Sequence, residues 1–171
     1  MTDAVSNNYS NSISALLADI DLGPSSSVQL AFAKIQLAQS MICKSNAESY
    51  MKQIEEVQQE QSAVADMISR ARNLKQQAGK STSTMPDDMV KFFNDRGLTY
   101  DKTGSDNKHS SSEWDINIES LTNYQESISN KTQTLMVYLQ DFISQYNSYL
   151  QGANSAISNA SQVLTAVATG R

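Results

Sequence analysis

Residues 116–168 read INIES LTNYQESISN KTQTLMVYLQ DFISQYNSYL QGANSAISNA SQVLTAVA, and the spacing within them decides the fold. Stepping by seven gives Leu121, Ile128, Leu135, Phe142, Tyr149, Ala156 and Val163. The positions four further on are Gln125, Thr132, Leu139, Tyr146, Ala153, Ala160 and Val167, of which only the first two are polar. Alternating steps of four and three make the a/d seam of a coiled coil. A helix of roughly 50 residues rises about 75 Å, more than a compact domain of this size needs. Such a helix is expected to lie along another one.

The surroundings of the seam are poor in charge. From Ile116 to Arg171 the only charged residues are Glu119, Glu126, Lys131, Asp141 and Arg171; Ser, Asn, Gln, Thr and Ala fill the rest. A solvated coiled coil usually flanks its apolar stripe with Glu and Lys. A face without them is either an ordinary surface of low charge or one that meets other protein, where a desolvated charge would be costly.

The partner helix is expected over residues 28–78, which hold neither Gly nor Pro and follow Ser25–Ser27, candidates for its N-cap. Its first part is apolar nearly all round, with Val28, Phe32, Ile35, Met41 and Ile42 prominent, so one partner helix cannot cover it. Those five residues are the candidate assembly interface of this helix. Beyond them runs a stripe of Tyr50, Ile54, Val57, Gln61, Val64, Ile68 and Ala71, shifted by one residue against Val28, Ile35 and Ile42. A shift of that kind changes the supercoil locally, so the two ends of the helix are expected to face different partners. The stripe itself is expected to pair with the carboxy-terminal seam in a helical hairpin.

Residues 79–115 are too long for a hairpin turn. Within this insert, Met85-Pro86-Asp87-Asp88 should open a short helix carrying Met89, Val90, Phe92 and Phe93, with Gly97 to stop it. Trp114 with Ile116 and Ile118 is expected to pack the insert back onto the hairpin, and their alternation also admits a short strand beside Leu98–Tyr100. Asp101 to Glu113 reads as a polar, solvated loop. Asp101, Asp106 and Glu113 lack the ligand spacing of an EF-hand. No metal is expected, with Asp87, Asp88 and His109 structural or solvent-facing.

Composition narrows the function further. A formal net charge of -5, with scattered basic residues, argues against a nucleic-acid surface. Cys43 is the single cysteine and His109 the single histidine, so neither a disulfide within the chain nor a plausible nucleophile–base pair is in view. An enzyme is not expected, and neither is a cofactor. No apolar run is long enough to span a bilayer as a helix. Residues 1–27 are Ser-rich with three Asp and no Lys or Arg, unlike a cleaved signal peptide and like a flexible, uncleaved leader. A short helix over residues 13–22 would end at Gly23-Pro24.

This pattern resembles the extracellular filament and needle-tip proteins of bacterial type III secretion systems, the EspA- and SseB-like group. The likeness lies in the leader, the long first helix with an apolar start, and the Ser/Asn/Gln-rich heptad helix near the carboxy-terminus. Met85-Pro86-Asp87-Asp88-Met89-Val90 through Asp95-Arg96-Gly97-Leu98 also looks like that group's central helix and its Asp-x-Gly stop.

The resemblance implies an all-α hairpin with four segments, at residues 1–27, 28–78, 79–115 and 116–171. It implies a secreted structural subunit, exported without cleavage, that self-assembles on the bacterial surface. Its implied partners are further copies, the needle subunit, translocator proteins and a dedicated cytoplasmic chaperone. Leu121, Ile128, Leu135, Leu139, Phe142, Tyr146, Tyr149 and Val163 would serve both chaperone and assembly. A cytoplasmic chaperone or adaptor is the alternative, and a translocator lying in a membrane interface a third.

Overall fold

The computed structural model describes Ala18, Ile20 and residues 28–170. The leader, and the helix expected over residues 13–22, lie outside the described residues apart from Ala18, which is helical, and Ile20, which is buried. Six elements follow: α1 (Val28–Ala78), β1 (Thr82–Thr84), α2 (Asp87–Asp95), a 3-10 turn (Thr103–Ser105), β2 (Lys108–Ser110) and α3 (Ser111–Ala168). The fold is an all-α antiparallel hairpin of α1 and α3 with a small insert between them.

Local chemistry sets where each helix stops and starts. Helix α1 ends where Gly79 turns left-handed (φ 51°), its N–H donating to the Lys75 carbonyl at 3.4 Å. In α2, Pro86 supplies a preset φ, and Asp87 and Asp88 sit against the positive end of the helix dipole. Gly97 (φ 63°) closes α2 as a Schellman motif: the Leu98 N–H reaches the Phe93 carbonyl at 2.8 Å, and the Gly97 N–H that of Asn94 at 3.1 Å. Helix α3 begins with a capping box. The Ser110 N–H donates to Glu113 Oε2 at 2.6 Å, and the Glu113 N–H donates to Ser110 Oγ at 3.4 Å.

That box moves the start of α3 to Ser111, ahead of the expected Ile116, and corrects the expected strand. Trp114, Ile116 and Ile118 lie on α3, and the sheet forms instead from β1 and β2, antiparallel with Ser83 opposite His109. Alternation over five residues reads as a strand, but a capped helix start overrides it. Of the two expectations for His109, structural or solvent-facing, the second does not hold: its side chain turns inward and is 1% exposed.

The described fold divides into two compact units: a central unit, residues 53–135, and a terminal unit, the described residues up to 52 with 136–170. The central unit has a core of large side chains. Trp114, Phe93, Met85, Met89, Leu121 and Val64 are all fully buried. Trp114 Nε1 donates to Ser83 Oγ at 2.8 Å, and the Ser83 hydroxyl donates to the Leu74 carbonyl at 2.7 Å, so the sheet is tied to both long helices. Arg96 lies 3.6 Å over the Phe92 ring and forks onto Glu60, which also accepts from the Tyr124 hydroxyl at 3.0 Å. The Arg96 fork holds the Glu60 carboxyl below its ordinary pKa, against the opposing effect of burial.

In the terminal unit the two helices also run antiparallel. As α1 advances through Gln36, Cys43 and Tyr50, its partners on α3 retreat through Gly152, Gln145 and Tyr138. Tyr50 stacks on Phe142 at 5.5 Å between ring centres. Gly152 is a close approach: a Cβ there would come within 2.8 Å of Gln36 Oε1.

Candidate assembly interface

The residues that face inward along α1 do not shift register. Working back from Ile54, the three-and-four alternation continues through Tyr50, Ala47, Cys43, Ser40, Gln36 and Ala33, each buried or half-buried. The expected discontinuity is therefore absent. Ile35 and Ile42 are the larger residues one position round the helix from Gln36 and Cys43, and the buried positions here are the small Ala33, Ser40, Cys43 and Ala47.

On α3, Leu121, Ile128 and Leu135 are buried within the central unit. Leu139, Phe142, Tyr146 and Tyr149 are half-buried in the terminal unit, and the seam closes with Ala153, Ala156 and Ala160. It ends there. Val163, expected as a seam residue, is 52% exposed, as are Leu164 and Val167 beside it at still higher values. Beyond Ala160 every described residue is exposed, so nothing encloses Val163.

The candidates on α1 fall mostly outward. Val28, Phe32, Ile35 and Met41 are exposed and Ile42 is half-buried. Val28 and Phe32 border an open groove whose other wall is Gly152, Ser155, Ala156 and Asn159. Sequence spacing did not find Met51, Met136, Val137, Tyr138 and Ile143, which are also exposed. The signal for them was present: a seam of alanines leaves the large residues on other faces.

Among the described residues, every large apolar side chain that is exposed belongs to the terminal unit, except Ile116. Burying one such side chain fully contributes about 1.5–3 kcal/mol. Association costs an estimated 4–15 kcal/mol in lost freedom, so a contact needs several of them together. At 3.6 residues per turn, Val28, Phe32 and Ile35 share one face of α1, while Met41 and Met51 lie roughly on the other side.

Charge does not oppose such contacts. Over residues 28–52 and 136–170 the charged residues are Lys34, Lys44, Glu48, Lys52 and Asp141, three cations against two carboxylates. Lys44 and Glu48 are within 3.8 Å of each other. No described helix is long and apolar enough to cross a membrane.

The insert brings together a second group, Asp101, His109 and Glu113, whose candidate donor atoms all lie within 4.8 Å of one another. Asp106, read with Asp101 and Glu113 in the sequence, turns instead toward Lys108, 4.0 Å away. Asp87 and Asp88 are exposed, and Asp88 forks onto Arg70 at 2.7 and 3.0 Å. No family model matches the chain, and no curated protein or solved structure does either.

Proposed function

We propose that this chain is a secreted structural subunit of a type III secretion apparatus, assembling with copies of itself into an extracellular filament or needle-tip structure. One observation carries the reading: the seam of the terminal unit closes with alanines, while Val28, Phe32, Ile35, Met41, Val137 and Ile143 of that unit stand exposed. Large apolar side chains grouped on one helix face, as Val28, Phe32 and Ile35 are, favour a protein contact. The terminal unit's near-balanced charge suits a second copy, which would bring the same few charges to the interface.

Before export, the same surface is an aggregation hazard. In this reading a cytoplasmic chaperone covers α3 from Leu121 through Tyr149 and on to Val163, and gives it up when the chain leaves the cell. Outside, the needle subunit and translocator proteins are the neighbouring partners, and residues 1–27 act as an uncleaved export leader. The role is structural, and no substrate is turned over. A single cysteine and a helical hairpin suit a chain that refolds after passing a narrow channel.

The test is mass spectrometry of culture supernatant from the source bacterium, joined to electron microscopy of the purified chain. The expected result is full-length protein outside the cell, with its first residues intact, forming regular polymers. Protein confined to the cytosol and monomeric when purified would favour the adaptor alternative and overturn the proposal.

A further inference from the structure

We propose that Asp101, His109 and Glu113 form a divalent transition-metal site in the central unit, with zinc as the ion that suits the donors best. It rests on no part of the assembly reading. The three residues come from three segments: Asp101 from the stretch after α2, His109 from β2, and Glu113 from the first turn of α3.

The histidine carries most of the argument. Its side chain is 1% exposed, and among the described residues neither ring nitrogen has a hydrogen-bond partner. Leaving a buried polar atom unsatisfied costs about 1–3 kcal/mol, so a native fold that keeps one there needs a reason. Nδ1 lies 4.0 Å from Asp101 Oδ1, too far for a hydrogen bond. Ser83, opposite His109 in the sheet, accepts from Trp114 and donates to the Leu74 carbonyl. The Trp114 ring meets the imidazole edge-on, with ring centres 5.1 Å apart.

Both carboxylates are held in place by other groups. Asp101 accepts from the Thr103 N–H at 2.9 Å and from the Thr103 hydroxyl at 3.0 Å, and its own N–H donates to Asn117 Oδ1 at 2.7 Å. Glu113 accepts from the Ser110 N–H. Oriented ligands of this kind are the outer-shell pattern of metal sites. Among the described residues, no Lys or Arg forms an ion pair with either carboxylate: Lys108 turns to Asp106 and Lys102 lies over the Tyr100 ring. A divalent cation would balance the two negative charges.

Donor chemistry selects the ion. One imidazole and two carboxylates suit zinc, which takes His nitrogen and carboxylate oxygen at about 2.0–2.2 Å, whereas calcium and magnesium favour all-oxygen sets. With a tetrahedral ion, neighbouring donors sit about 3.4 Å apart, so these must draw in by roughly 1 Å. Asp101 and Glu113 are only half-buried and have the room. Water would complete the coordination. A bound ion would cross-link the loop, β2 and the start of α3, and would stabilise the folded state in proportion to its occupancy.

The test is isothermal titration of zinc into the tag-free, full-length chain after chelator treatment, with cobalt(II) absorption as a geometric probe. One zinc per chain is expected, with a rise in Tm that magnesium does not produce, and with cobalt bands of nitrogen and oxygen coordination. Glu113→Gln keeps a capping-box acceptor and Asp101→Asn keeps an acceptor for Thr103, so both variants should fold. Each should weaken zinc binding by about a hundredfold or more, beyond the 10–100-fold typical of an outer-shell loss. Failure of the unaltered chain to take up zinc one-to-one would overturn the proposal, whatever the variants do. So would undiminished binding in both variants, or a thiolate charge-transfer band showing cobalt at Cys43.

Discussion

The central and terminal units draw on the same two long helices but fill the space between them differently. In the central unit the seam holds Ile54, Val57, Val64, Ile68, Leu121, Ile128 and Leu135, the start of α3 adds Trp114, and the insert adds Phe93 and two methionines. In the terminal unit it holds Ala33, Ser40, Cys43, Ala47, Ala153, Ala156 and Ala160. Large side chains contribute far more burial energy than alanines do, so the first unit is stabilised from within. The second only half-buries Tyr50, Leu139, Phe142, Tyr146 and Tyr149 and leaves Val28, Phe32, Ile35 and Met41 exposed. A heptad period therefore tells which residues face each other, and residue size tells which unit is self-sufficient.

The comparison breaks most readily at Trp114. Trp114→Ala should destabilise the chain by about 3–5 kcal/mol in urea unfolding, and it also removes the donor to Ser83. A loss under about 1 kcal/mol would mean that the central core is not what holds the fold.

The next largest effect comes from enlarging the terminal seam. Ala153 is fully buried, so Ala153→Leu should cost about 1–3 kcal/mol through overpacking. Phe32→Ala, on the open face, should leave monomer stability within about 0.5 kcal/mol of the parent. Equal effects from the two substitutions, read by urea unfolding of dilute protein, would erase the distinction between seam and outer face.

A smaller effect separates the electrostatics of the central unit. Because the Glu60 pKa is lowered in the folded state, chiefly by Arg96, its contribution is present above the unfolded carboxylate value of about 4.3. It is lost as pH falls through the folded value. Thermal melts of the parent should therefore fall off below about pH 4.3, and Glu60→Gln should flatten part of that decline. An unchanged acid limb in the variant would show that the fork contributes nothing. Smallest of all, Ser144→Asp, at an exposed position off the seam, should shift stability by less than about 0.5 kcal/mol.

Much of the hairpin was legible because its signals are strong. The a/d spacing of α3, the absence of Gly and Pro from residues 28–78, and Pro86 and Gly97 around α2 each have a direct local cause. The seam of the amino-terminal half of α1 differs from its apparent stripe for a physical reason: bulk dominates a hydrophobic pattern, and Ile35 and Ile42 outweigh Gln36 and Cys43 one position away. The strand at Trp114 was misread because the box formed by Ser110 and Glu113, although visible in sequence as Ser-x-x-Glu, was not weighed against the alternation. The grouping of Asp101, His109 and Glu113 depends on the β1–β2 register, a nonlocal pairing that three-residue strands announce weakly.

The most direct test of the account is sedimentation velocity on the purified full-length chain across a concentration series, beside Phe32→Asp/Ile35→Asp. Both positions are exposed, so circular dichroism melts of the dilute variant should match those of the parent. The account predicts concentration-dependent polymers for the parent and a monomer for the double variant. A parent that stays monomeric at its highest soluble concentration, or a double variant that polymerises as the parent does, would contradict it.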